Sequence, residues 1–314
     1  MNMKNKEISI VLPTYNEEKN VLLLYKILKK VLDRLNKPYE IIYVDDGSKD
    51  KTFENLKKMH SIDKRVKIIK FRRNFGQTAA LDAGFKFASG NIIIALDADL
   101  QDDPRYIPKF VNKLNEGYDC VCAWRYKRKD SFSKKILSRI ANFLRYILIN
   151  DKIHDSGCSF KAYRKECFED LDLYGEMHRF VPALLKMQGF KITELKVKHY
   201  PRKFGKTKYN IKRVLKGFVD LLNVWFWQKF SSRPLHLFGG TGIIMCGLGM
   251  LVGIYLLVLK FFFGKGIGNR PLLLLAILLV ILGIQFLVFG VLADLLMKIY
   301  YRKKMNYKIK EIIK

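Results

Sequence analysis

Two uninterrupted apolar stretches, Leu235–Leu259 and Pro271–Met297, constrain this 314-residue chain more than any other feature. Each is about 25 residues long, enough for a helix to cross the hydrocarbon core of a bilayer with some tilt. Neither has a charge in its middle, and Asp294 lies near the end of the second. Only Lys260–Arg270 separates them, so the pair reads as a helical hairpin. Lys212, Arg213, Lys216, Lys229 and Arg233 precede it, and Lys298, Arg302, Lys303 and Lys304 follow it. The connecting loop carries Lys260, Lys265 and Arg270. The positive-inside bias therefore places both termini in the cytoplasm. No secretory signal precedes the strand-like run at Ile8, which agrees with a cytosolic N-terminus.

Upstream of residue 234 the chain reads as a strongly basic soluble protein, and the whole carries a formal charge of +29. Such a charge calls for an anionic partner: nucleic acid, membrane or substrate. The membrane is favoured, because the basic residues crowd beside the anchors and no nucleic-acid-binding signature is present. Residues 133–149 and 210–230 add two basic amphipathic segments, the second with Trp225 and Trp227. Lys and Arg beside large aromatics suit helices lying in the membrane interface, against the alternative of ordinary core helices. The five cysteines are odd in number and lack zinc-type spacing, so buried reduced thiols are expected.

The first 125 residues alternate short β-rich runs (Ile8–Leu12, Tyr39–Val44, Val66–Lys70, Ile92–Leu96, Asp119–Ala123) with helical patterns (Glu17–Leu35, Thr52–His60, Gln77–Ala88, Pro104–Asn115). Alternation of this kind, with continuously apolar strands, implies an α/β fold: a mainly parallel, Rossmann-like sheet covered on both faces. Ligands sit beyond the carboxyl ends of such strands. Polar clusters fall there.

Asp97-Ala98-Asp99 directly follows the fourth strand run. Two carboxylates at i and i+2 can grip a divalent cation that also holds a diphosphate, and Mg2+ or Mn2+ suits such oxygen ligands. Gln101 follows at the same spacing and offers another oxygen. Alone, an Asp-x-Asp is more often a capped turn; its place after a strand raises its meaning. Asp45-Asp46-Gly47-Ser48 ends the second strand, where turn chemistry competes with a role for Asp46 as acceptor for a nucleotide base or ribose. Tyr15, at the end of the first strand, is placed to stack on a base.

The runs IVLPTYNEEKNV, IIYVDDGSKDKT, RRNFGQTAALDAGF and ALDADLQDDP, in that order, resemble glycosyltransferase family 2 with its GT-A fold. More narrowly, the chain resembles the polyprenyl-phosphate glycosyltransferases, the group of dolichol-phosphate mannose synthase and the GtrB-like enzymes. HDSGCSFKAYRKE, GEMHRFVPALL and RKFGKTKYN extend the likeness over roughly residues 8–210. The resemblance implies that Pro13, Tyr15, Glu17, Val44 and Asp46 hold the nucleotide. It implies that Asp97, Ala98, Asp99 and Gln101 bind metal and diphosphate, and that Arg125 lies near the donor. Arg202 and Lys208 would belong to a mobile basic loop that closes over donor and lipid phosphate, with Gly205 as its bend. Asp155 would position the acceptor or act as a weak base, since a lipid phosphate is already largely ionised at neutral pH. His154 and His178 read as structural, and Glu176 and Arg179 as shaping the sugar pocket.

The implied reaction is inverting transfer of a hexose from a nucleotide-sugar (UDP-glucose first, then GDP-mannose) to polyprenyl or dolichyl phosphate. The expected organisation is a cytoplasmic catalytic domain over 1–209 and a juxtamembrane helix over 210–233. Two spans over 234–298 and a basic tail over 299–314 complete it. A homo-oligomer, with a tetramer suggested by the GtrB-like group, is expected from two lone spans. Competing readings are a processive polysaccharide synthase, which lacks support without a Gln-x-x-Arg-Trp motif, and an inactive membrane scaffold, which would not need Asp97, Asp99, Arg202 and Lys208. A nucleic-acid-binding membrane protein is the third, and predicts salt-sensitive DNA retention.

Overall fold

The computed structural model describes residues 7–126, 153–169, 171, 173, 175–201, 219, 221, 222, 225, 226, 229, 230, 233–268 and 270–301. They fall into two compact units divided between Trp225 and Phe226. The basic segment 133–149, most of 210–233 and the tail from residue 302 lie outside the described residues.

In the first unit the chain runs β1 (Ile8–Thr14), α1 (Val21–Asp33), β2 (Tyr39–Asp45), α2 (Thr52–Ile62), β3 (Val66–Lys70), α3 (Gln77–Phe87) and β4 (Ile92–Ala95). A short turn at Pro104–Tyr106 leads into α4 (Ile107–Asn115), followed by β5 (Cys120–Arg125), β6 (Lys161–Arg164), α5 (Val181–Met187) and β7 (Ile192–Val197). The strands form one seven-stranded sheet in the order β3-β2-β1-β4-β6-β5-β7. All pairings are parallel except those of β6, which lies antiparallel between β4 and β5. The five strands and four helices expected from the sequence are all present, with ends shifted by up to four residues; β6 and β7 are additions.

Alternation along each strand builds two apolar layers. Ile8, Ile10, Leu12, Ile41 and Tyr43 face α1, α2 and α4, meeting Leu24, Leu56 and Phe110. Val11, Ile42, Val44 and Ile93 face α3 and α5, meeting Leu81, Phe85, Val181 and Leu185. With helices on both faces, nearly every side chain of β1, β2 and β4 is buried, which is why these runs read as continuously apolar. Four of the five cysteines are buried and all are free thiols.

The second unit contains α6 (Pro234–Phe263) and α7 (Pro271–Tyr301), both long and apolar enough to cross a membrane. Most of their large side chains point outward: Phe262 is 82% and Leu274 72% exposed. The two helices touch along small residues. A Cβ at Gly242 would fall 2.6 Å from the Gly283 carbonyl, and one at Gly249 would fall 2.9 Å from that of Ala276. Gly242 and Gly249, and likewise Ala276, Gly283 and Gly290, recur at seven-residue intervals, so one face of each helix presents backbone to its neighbour.

Candidate active site

Because β1–β5 (apart from the inserted β6) and β7 run in one direction, their carboxyl ends share an edge, and the loops there carry the polar residues singled out above. Asp97 and Asp99 leave β4 on a tight turn. Asp99 accepts from the Gln101 N–H at 3.1 Å and is nearly buried, while the Asp97 carboxylate accepts from Gln77 Nε2 at 2.7 Å. Between them and Gln101, Leu100 sits at φ +62°, a left-handed conformation costing a β-carbon residue about 1–2 kcal/mol. Strain of this kind persists where surrounding structure enforces a functional geometry.

Asp102, not singled out in the sequence, belongs to this cluster. Its buried carboxylate accepts from Ser159 Oγ at 3.4 Å. Burial first, and then the negative charge of Asp97, push it up to about 7, with Arg125 acting in the opposite sense. Asp102 thus brings a third, buried carboxyl group to the acidic turn.

Arg125, at the end of β5, and Asp155, in the loop before β6, form a two-pronged ion pair: Nε to Oδ2 at 2.6 Å and Nη2 to Oδ1 at 2.8 Å. Burial works against the Arg125 charge, but the hydrogen bonds to Asp155 outweigh it and hold the guanidinium above its ordinary value. The sequence suggested separate roles for these two; the fold joins them. Glu194 on β7 supports the pair from behind, accepting from the His154 N–H at 2.9 Å and meeting His154 Nδ1 at 2.6 Å. His154 also stacks on Trp124, and His178 Nδ1 lies 2.7 Å from Thr78 Oγ1.

At the carboxyl ends of β1 and β2, the two oxygens of Asp46 accept from the N–H groups of Phe75 and Gly76, at 2.6 and 2.9 Å, and so fix the loop after β3. Gly47, at φ +71°, passes so close to Arg73 that a Cβ would lie 2.5 Å from its carbonyl carbon. Glu17 accepts from Asn20 Nδ2 at 2.5 Å, and its N–H donates to Thr52 Oγ1. Pro13 and Tyr15 are half-buried at the end of β1. Val44 and Ala98 are core residues, 0% and 3% exposed, so only their backbones face this edge.

Gln101 donates through Nε2 to the Tyr200 carbonyl at 3.2 Å, and its own carbonyl accepts from the Tyr200 N–H at 3.0 Å. Asp102 and His199 form a backbone bridge beside it. The acidic turn is thereby tied to the exit of β7, where the basic stretch begins. Arg202, Gly205 and Lys208 themselves lie outside the described residues. Among the described residues no three His, Cys, Asp or Glu side chains form a self-sufficient metal cage. Asp97 and Asp99 instead supply a hard-oxygen pair of the kind completed by substrate phosphates.

The family model of glycosyl transferase family 2 matches residues 9–172, just over half of the chain. The chain belongs to this family. The enzyme is a glycosyltransferase, and it has relatives that match it over nearly its whole length. A dodecaprenyl-phosphate galacturonate synthase of Rhizobium johnstonii is 38% identical over 99% of this chain and 94% of that protein. An undecaprenyl-phosphate 4-deoxy-4-formamido-L-arabinose transferase of Yersinia enterocolitica is 33% identical, with the same coverage of each. Among solved structures, the glucosyl-3-phosphoglycerate synthase of Mycobacterium tuberculosis in complex with Mn2+, uridine diphosphate and phosphoglyceric acid shares the fold. Its TM-score is 0.54, with 17% identity over 71% of this chain and 78% of that one. The same synthase has also been solved with Mg2+ and uridine diphosphate. These likenesses, with the two apolar helices, make this glycosyltransferase a membrane protein of mainly parallel α/β architecture.

Proposed function

We propose that this glycosyltransferase moves a hexose from a UDP-sugar onto the phosphate of a polyprenyl lipid at the cytoplasmic membrane face, with inversion. The observation that carries the reading is the juxtaposition of the Asp97/Asp99 turn with the Arg125–Asp155 pair along one sheet edge. It is supported by end-to-end similarity to two enzymes whose names specify prenyl-phosphate acceptors.

Asp97 and Asp99, with Gln101 as the third oxygen expected from the sequence, would hold Mg2+ or Mn2+. The bound metal would neutralise the departing nucleotide diphosphate. Asp46, Glu17, Tyr15 and Pro13 bound the nucleotide end, with backbone from Val44 and Ala98. Arg125, expected near the donor, is held rigid by Asp155, expected at the acceptor, and so offers a fixed positive charge between the donor and the approaching acceptor phosphate. An ionised phosphate needs no strong base, so Asp155 acts by fixing Arg125. Arg202 and Lys208 supply the further charge that the basic loop brings. Both termini are cytoplasmic, residues 1–209 form the catalytic domain, and the assembly is a homo-oligomer.

UDP-glucose is the first donor to test and GDP-mannose the next; the relatives' sugars add UDP-galacturonate to the panel. Purified protein in detergent is incubated with undecaprenyl phosphate, Mg2+ or Mn2+, and each labelled donor. Metal-dependent label in the lipid fraction from one donor establishes the reaction and names the sugar. Failure of all donors, together with nucleotide binding that Asp99→Ala leaves unchanged, would sink the proposal and favour the scaffold reading.

A further inference from the structure

The loops around the catalytic edge carry a pattern that sugar transfer does not use. Beyond β3, Phe75 is 54% exposed and Arg73 stacks over its ring at 4.1 Å. At the other end of the sheet, Tyr126 is 51% exposed beyond β5. Lys196 lies over it at 5.1 Å and over Trp124 at 4.9 Å. Tyr200, beyond β7, is 38% exposed, with Arg105 Nη2 at 3.5 Å from its hydroxyl. Between these ends, α1 starts with Leu22 and Leu23 exposed, flanked by exposed Lys19 and Lys26. Four separate segments therefore present large apolar or aromatic side chains beside basic residues, of which Arg105 is paired with Asp103, spread over a sheet edge about 30 Å long.

Outside the Asp97–Asp99 turn, three carboxylates at the same edge are held by neighbouring groups. Asp46 is spent on the Phe75 and Gly76 N–H groups, Asp50 on those of Glu18 and Thr52, and Asp103 on Arg105. Around the acidic turn, the rim thus presents basic and aromatic side chains, as suits the headgroup layer of an anionic bilayer, where amphipathic rings and lysine stems are most stable. At the opposite edge Ile62, Phe87 and Met187 protrude singly from three helix ends.

We propose that the rim of the catalytic edge is itself a docking surface for anionic lipid headgroups, independent of the two spans. Phe75 with Arg73 and Tyr126 with Lys196 are its two anchors. The rim lays the sheet edge against the membrane, so that a phosphate at headgroup height meets Arg125. The surface goes beyond the proposed reaction, although its use in catalysis rests on a lipid acceptor.

The test uses full-length protein, with Cys246 replaced by alanine, in nanodiscs of phosphatidylcholine with or without phosphatidylglycerol. A bimane label on Phe75→Cys is expected to be quenched by nitroxide-labelled lipid, more strongly with phosphatidylglycerol, while the same label on Phe87→Cys is not. The charge-reversal variant Arg73→Glu/Lys196→Glu is expected to raise KM for long-chain polyprenyl phosphate in anionic nanodiscs by about five-fold or more. Donor KM, and turnover of a short-chain soluble prenyl phosphate in detergent, should not change. Equal quenching at positions 75 and 87, or an unchanged KM, overturns the proposal. So does a fall in particle mass for the charge-reversal variant, which would make the rim a contact between copies. No transfer to either acceptor, with quenching at 75 intact, would refute the acceptor assignment and leave the docking surface standing.

Discussion

The two units of this protein place their apolar residues in opposite ways. In the α/β unit Phe110, Phe160 and Tyr43 are sealed from the surroundings, and Phe110 stacks on Phe160 with ring centroids 4.4 Å apart. In the hairpin the large side chains face outward and glycine lines the contact. Water drives the first arrangement: burying apolar area is what stabilises it. Lipid removes that drive, because the surroundings are as apolar as leucine, and close backbone approach takes over. The same residue types thus carry different weight in each unit.

The largest expected effect is chemical. Asp99→Ala should cut transfer by about 10²–10³-fold, as losses of such electrostatic groups do. Its hairpin and membrane insertion should stay intact by circular dichroism and flotation. A variant with near-normal turnover would remove the metal-site assignment, and one that fails to insert would show that the two units are not independent.

Packing substitutions probe the comparison directly. Phe110→Ala should cost the α/β unit about 3–5 kcal/mol, read as loss of cooperative unfolding or of nucleotide binding. Leu274→Ala, on the outward face of α7, should shift thermal stability in detergent by less than about 0.5 kcal/mol. Comparable losses from both would mean that Leu274 is covered by another helix. For the seam, Gly283→Leu should force α6 and α7 apart and lower the detergent melting temperature by several degrees. Nucleotide affinity should not change, since no glycine of the seam belongs to the α/β unit.

The smallest effect is electrostatic. Hydrogen bonds from Arg65 hold the Asp63 carboxyl well below the usual carboxylate range. A depressed folded value means stability that is present above the unfolded value near 4 and lost as pH falls below it. Because Arg65 is partly exposed, Asp63→Asn should cost only about 1 kcal/mol at pH 7. The gap from wild type should begin to narrow below about pH 5 and go on narrowing down to about pH 1. A gap that does not narrow at all between about pH 5 and about pH 2 would assign the loss to packing.

How much was legible differs by element. The buried strands β1, β2 and β4 announce themselves because both their faces are covered, leaving no polar positions to confuse the pattern. β6 escaped notice because it is four residues long with Lys161 and Arg164 at its ends. β7 was missed because, as an edge strand, it mixes polar and apolar residues in ITELKV, with Thr193 and Glu194 side by side.

By itself, then, the order of residues determined the α/β character, the acidic turn after β4, the turn chemistry of Asp46-Gly47 and the apolar hairpin. Each of these depends on neighbours within a few positions or on the solvent a segment can tolerate. Tertiary structure alone decided that β6 enters antiparallel and that Asp155 clamps Arg125 across 30 residues. It alone decided that Gln101 holds Tyr200 across 99 residues. Such pairings are set by where the sheet brings distant loops, and no local preference encodes that distance.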